Sequence, residues 1–207
     1  MPTHQYDIPA LPVLLPLGLA LMLAVVLFLR LRGLLTPARV ALGWFAGWYA
    51  VAVLGATLLP MHLAWGGDYD PDQYRFIFIP LLEMRPLDFV LNTIMTLPLA
   101  GLLFLLFGIR EERRLVRIGF LVSLAIETTQ LVMLFTLDGN RWADVNDLTS
   151  NTLGTWLGYL AFRRLMRFEH FRRAVGSCAF ARNARNARSD QEGRNGRDGR
   201  ETPAATR

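Results

Sequence analysis

Three short runs of this chain place residues capable of acid–base or ionic chemistry inside otherwise apolar sequence. Asp88 and Asn92 are four apart, so they share one face of a helix. Glu127 and Gln130 are three apart and share a face again, with Ser123 one turn earlier. Asp144, Asp147, Asn151, Gly154 and Gly158 follow at spacings of 3, 4, 3 and 4. That spacing draws one continuous stripe on a helix beginning near Asp144, where Asp144 or Asp147 can also cap the helix start. Arg141 stands just before the stripe and is the strong positive charge available to answer the carboxylates.

Carboxylates in unlike surroundings can divide acid and base duties, which makes Glu127, Asp144 and Asp147 the candidate catalytic residues. A guanidinium beside them could hold a phosphate through two parallel hydrogen bonds. The candidate ligand-binding set is Asp88, Asn92, Glu127, Gln130, Arg141, Asp144, Asp147 and Asn151. Polar groups inside membrane helices have two ordinary uses, as a site or pathway and as glue between helices. The packing candidates are Pro98, Gly101, Gly154 and Gly158. Pro98 removes one N–H and should free the carbonyl of Ile94, while the glycines cut side-chain bulk.

The elements that position these residues follow from composition. Of 207 residues, 53% are hydrophobic and only 19% charged, which points to a membrane protein. Five runs are long and apolar enough to cross a bilayer, at about 20 residues each: 11–31, 40–59, 87–107, 115–137 and 148–165. Backbone in lipid must satisfy its own hydrogen bonds, so these runs are helices. The fold class is all-α, a polytopic helix bundle with about five transmembrane helices.

The arginines set the orientation. Nineteen fall in the connections after the first, third and fifth runs, and only Arg75, Arg85 and Arg141 fall on the other side. The positive-inside bias therefore places the N-terminus outside and the C-terminus in the cytoplasm. The polar set then occupies the outer half of the membrane and opens outward. The opening MPTHQYD lacks a basic segment, so no cleavable signal peptide is expected.

Other features carry little chemistry. Cys178 is the single cysteine, which excludes an intrachain disulfide, and His4, His62 and His170 are scattered. No metal and no cofactor is expected. Asp68, Asp70 and Asp72 alternate as in a calcium loop but lack its glycine and distal Glu, so residues 60–86 read as a solvated external loop. Gly43 and Gly47 allow close helix approach, and Trp44, Trp48 and Tyr49 read as interface anchors or packing. The basic stretch after the fifth run suits an anionic lipid surface. The tail from about residue 183 is polar and Arg-rich, hence disordered, and no specific nucleic acid is expected.

The order Asp88, Asn92, Pro98, then Ser123, Glu127, Gln130, then Arg141, Asp144, Asp147, Asn151, Gly154, Gly158 resembles the VanZ-like family. The resemblance covers about residues 78–159. The N-terminal helix and the Arg-rich tail lie outside it, so the chain divides into an N-terminal transmembrane helix (1–36), a VanZ-like transmembrane domain (37–165), a basic juxtamembrane segment (166–182) and a disordered cytoplasmic tail (183–207). The resemblance implies a multi-pass protein of the bacterial cytoplasmic membrane, linked through the family's founding member to resistance to glycopeptide antibiotics such as teicoplanin. The expected partners are the lipid bilayer, a lipid-linked envelope ligand or glycopeptide in the outer pocket, anionic lipid at the basic C-terminal segment, and, for the transporter reading, a second copy of the chain as homo-oligomer. The leading expectation is a non-enzymatic role in envelope physiology or antibiotic tolerance. An intramembrane acid–base enzyme acting on an outer-leaflet lipid is the alternative, which Glu127→Gln would inactivate. A proton-coupled transporter is the third reading, distinguished by flux in proteoliposomes.

Overall fold

A computed structural model describes residues 4–65, 85–137 and 144–180. In chain order the described elements are β1 (His4–Ile8), α1 (Ala10–Leu31), α2 (Pro37–Leu58), β2 (Met61–Trp65), α3 (Pro86–Phe107), α4 (Glu112–Leu137), α5 (Val145–Leu165) and α6 (Glu169–Cys178).

Local chemistry sets the helix ends. The chain leaves α1 through Gly33 at φ 63°, a left-handed conformation that glycine adopts without strain. Thr36 then caps α2: its side chain accepts from the Arg39 backbone N–H at 3.4 Å, and Pro37 fills the first turn. Pro86 likewise opens α3, which ends at Gly108 with φ 69°.

Among the described residues four helices, α1 to α4, are long and apolar enough to cross a membrane. Leu11, Leu19 and Leu23 of α1 are each more than half exposed, as are Leu91 and Ile94 of α3. Apolar surface of this extent suits hydrocarbon and not water. The expectation of five such runs therefore becomes four by length and composition. α5 has the length, at 21 residues, but its buried positions are Asn146, Ser150, Asn151, Gly154, Thr155 and Gly158. Hydropathy reads that face as polar although it is the face most enclosed by protein.

The helices pack as two groups. α1 and α2 form an antiparallel hairpin in which Gly18 lies under the Trp48 ring, Gly43 under Val25 and Gly55 under Leu14. Trp44 and Trp48 both turn their indole N–H to Met22, the first to its carbonyl and the second to its sulfur. In the other group α5 lies against both α3 and α4. A Cβ on Gly154 would strike the Thr93 carbonyl and the Thr96 hydroxyl, and one on Gly158 would strike the Leu97 carbonyl. On the other side, Gly119 of α4 sits against Thr155. Gly101 faces the Phe162 ring across the α3–α5 seam. Small residues thus bring backbones together where no hydrophobic force drives helices from lipid.

Two elements complete the frame. α6 returns against the bundle through Phe171, whose ring meets Phe162 at 5.6 Å, and through buried Val175 and Ala179. Its Glu169 pairs with Arg172 and Arg173. The sequence reading did not anticipate the antiparallel ribbon of β1 and β2, with Ile8 opposite Met61 and His4 opposite Trp65. Its strands are five residues each and far apart in sequence, so no local periodicity announces the pairing.

A polar cavity between the helix groups

One end of the bundle collects the start of α3, the second half of α4, the start of α5 and the end of α2. A cavity of about 810 Å³ lies between them. Its α2 wall carries Tyr49, Val53 and Thr57, spaced four apart along one face, with Ala52 and Ala56 beside them. Its opposite wall carries Asp88, Asn92, Glu127, Gln130, Asp147 and Asn151. Ala52, Ala56, Leu91 and Ile94 line the cavity and are also exposed, so it opens sideways at the apolar surface as well as at the helix ends.

Each polar residue is held by a specific partner. Asn92 donates to the Asp147 carboxylate at 2.6 Å, tying α3 to α5. Asp144 caps α5 by accepting from the Asn146 backbone N–H at 2.8 Å and from its amide at 2.9 Å. The Asp144 backbone N–H in turn donates to Glu127 at 3.2 Å, joining α5 to α4. About two turns along α5 from Asp144, Asn151 donates to Ser123 at 3.0 Å. Gln130 reaches across the cavity and donates to the Thr57 carbonyl at 2.8 Å. Tyr49 does the same from the other side, donating to the Met95 carbonyl at 3.0 Å. These last two bonds tie α2 to α3 and α4 across the cavity. Pro98 lines the cavity within α3, three residues beyond the carbonyl that Tyr49 engages.

The cavity's floor and rim differ. Gln130 and Asn151 are only 6% and 2% exposed, and their amide oxygens have no hydrogen-bond donor among the described residues. Asp88 stands at the rim with Arg85 3.9 Å away, both well exposed. The geometry brings six of the eight candidate ligand residues into one cavity, and Asp144 joins them through Glu127. Arg141 lies outside the described residues, as do Asp68, Asp70 and Asp72. The sequence reading missed Tyr49, Thr57 and Arg85 as cavity residues. The spacing of Tyr49, Val53 and Thr57 is the signal that could have found the first two. Among the described residues no cluster of His, Cys, Asp and Glu has the geometry to hold a metal ion.

A second, smaller cavity of about 230 Å³ lies at the other end of the bundle. Phe104, Leu115 and Phe162 line it, with Arg110 and Arg163 among its edges. Arg110 also stacks over the Phe104 ring at 5.4 Å.

The family model for VanZ/LLP1 matches residues 45–167. The match runs from within α2 past the end of α5 and so includes every helix that walls the larger cavity. No curated protein and no solved structure matches the chain.

Proposed function

This chain belongs to the VanZ/LLP1 family, and from that premise we propose that it is a membrane binding protein for a lipid-linked or other envelope ligand. The ligand enters the cavity between α2 and the α3–α5 group. α5 crosses the bilayer as a fifth span inside the shelter of α3 and α4, which carries the N-terminus to the outside and the C-terminus to the cytoplasm. The cavity then opens at the outer leaflet of a bacterial cytoplasmic membrane. The observation that supports this reading is the pairing of two unlike surfaces in one cavity. Exposed apolar residues give access from the bilayer, and a floor of carboxyl and amide groups offers a polar headgroup its hydrogen bonds. At the other end, the smaller cavity edged by Arg110 and Arg163 supports contact with anionic lipid on the cytoplasmic side.

In the cell this binding acts in envelope physiology, with tolerance of glycopeptide antibiotics as its phenotype. Deletion of the gene should lower the inhibitory concentration of teicoplanin, and the intact chain should restore it. A variant with Glu127→Ala and Gln130→Ala, expressed in the membrane at the normal level, should not restore it. Unchanged susceptibility on deletion would remove the tolerance role.

A further inference from the structure

The smaller cavity is a slot in the α3–α5 seam with a chemistry of its own. Its walls are apolar, with the Phe104 and Phe162 rings meeting at 4.9 Å and Leu115 beside them. The polar residues on its lining are Arg110, Tyr159 and Arg163, and no carboxylate is among them. Tyr159 and Arg163 are four apart and share one face of α5. Arg110 comes from the α3–α4 connection, and its guanidinium is set over the Phe104 ring at 5.4 Å. Glu112, two residues further on, is engaged elsewhere by the Trp156 indole N–H at 2.9 Å. Among the described residues neither Arg110 nor Arg163 forms an ion pair, and both are exposed. Two reachable guanidiniums without acids, at the edge of one apolar slot, make a site for an anion.

The level of the slot says what carries that anion. Phe104 and Phe162 each stand about one turn before the end of their helix, α3 at Phe107 and α5 at Leu165. With these helices crossing the bilayer, the slot lies at the height of lipid headgroups. At about 230 Å³ it is smaller than the usual site for a whole small ligand, so it takes one part of a larger molecule. A guanidinium fork matches two phosphate oxygens at once. A phosphate monoester ends in three free oxygens and carries close to two negative charges, which two guanidiniums answer. A diester carries one charge and has two free oxygens. We propose that this slot binds the terminal phosphate monoester of a lipid, with Arg110 and Arg163 holding the phosphate and Phe104, Leu115 and Phe162 holding the apolar part beside it. The proposal rests on the reading of this end as a contact for anionic lipid and names the headgroup that it selects.

The test uses the full chain purified in detergent, with bound lipid read by native mass spectrometry. Phosphatidic acid should be retained about tenfold over phosphatidylglycerol of the same acyl chains, the ratio expected from one further charge-assisted hydrogen bond. Arg110→Gln and Arg163→Gln, both at exposed positions, should each remove that preference. Arg164→Gln deletes the same charge from the neighbouring exposed residue, which is outside the slot lining, and should keep it. Inorganic phosphate in excess should not displace the lipid, because it leaves the apolar walls empty; displacement would overturn a lipid as the occupant. Equal retention of phosphatidic acid and phosphatidylglycerol, both above phosphatidylcholine, would overturn the monoester and leave the anionic contact standing. Equal loss of the preference in all three variants would mark a diffuse basic surface and overturn the slot. Retention of all three lipids alike would overturn the anionic contact together with the slot.

Discussion

Asn92 shows what a single side chain contributes in this bundle. Its amide is the direct link from α3 to the Asp147 carboxylate on α5. Hydrogen bonds between membrane helices are individually modest, because the unfolded chain in lipid also finds partners. A charged acceptor raises the value. Asn92→Ala should therefore lower stability by about 1–2 kcal/mol, read from thermal or denaturant unfolding in detergent. Asn92→Asp should cost more, since it sets two carboxyl groups against each other. A variant Asn92→Ala as stable as the parent would show that the contact carries no net energy. The spacing of Asp88, Asn92, Glu127, Gln130, Asp147 and Asn151 was legible in the sequence, and so was their sharing of helix faces. Their partners were not. Nothing local in Gln130 says that its amide meets a carbonyl 73 residues away on α2.

At the scale of elements, glycine decides which helices touch. Gly158 rests on the α3 backbone at Leu97, whereas Gly47 has an ordinary 3.4 Å clearance to the Leu21 Cβ. The two belong to the same kind of small-residue pair in the sequence, yet they should respond differently. Gly158→Val forces two backbones apart and should cost at least about 3 kcal/mol, with loss of monodisperse protein on size-exclusion chromatography. Gly47→Ala should fall within about 1 kcal/mol of the parent, since it fills free space and favours the helix. Equal tolerance of both would separate the α3–α5 seam from the close packing described. α5 differs from the four membrane-length helices in what it buries. A helix walled by protein on both sides can carry Asn, Ser and Thr inward, because a neighbour answers the amide, as Ser123 does for Asn151, while the hydroxyls bond back to their own helix. Ser150 Oγ bonds to the Asp147 carbonyl and Thr155 Oγ1 to that of Asn151, each within its own helix.

The whole molecule has two unlike ends. The acidic cavity and the β1–β2 ribbon lie at one, and the arginines of the α1–α2 and α3–α4 connections and of α6 lie at the other. Cys178, the single cysteine, ends α6 and reports which side that end faces. A membrane-impermeant maleimide should leave Cys178 unlabelled in intact cells and label it in inverted vesicles. Burial pushes the Cys178 thiol above its ordinary range, so less thiolate is present at neutral pH. Labelling should accordingly speed up as pH is raised through the mildly alkaline range. Rapid labelling from outside intact cells would reverse the proposed topology.

The sequence by itself determined the helical class, the kinship to VanZ-like proteins and four of the five membrane-length runs it marked, which are the four that remain so in the structure. These are properties of local composition and spacing, and the 3.6-residue period and the bilayer's thickness act on each segment separately. Only the tertiary structure decided that α2 supplies a wall of the cavity through Tyr49 and Thr57. Only it decided that the polar α5 lies against both α3 and α4, and that Gln130 reaches the Thr57 carbonyl of α2. Each of these depends on which helix stands opposite which. That choice is made by close approach at glycines and by hydrogen bonds between residues tens of positions apart.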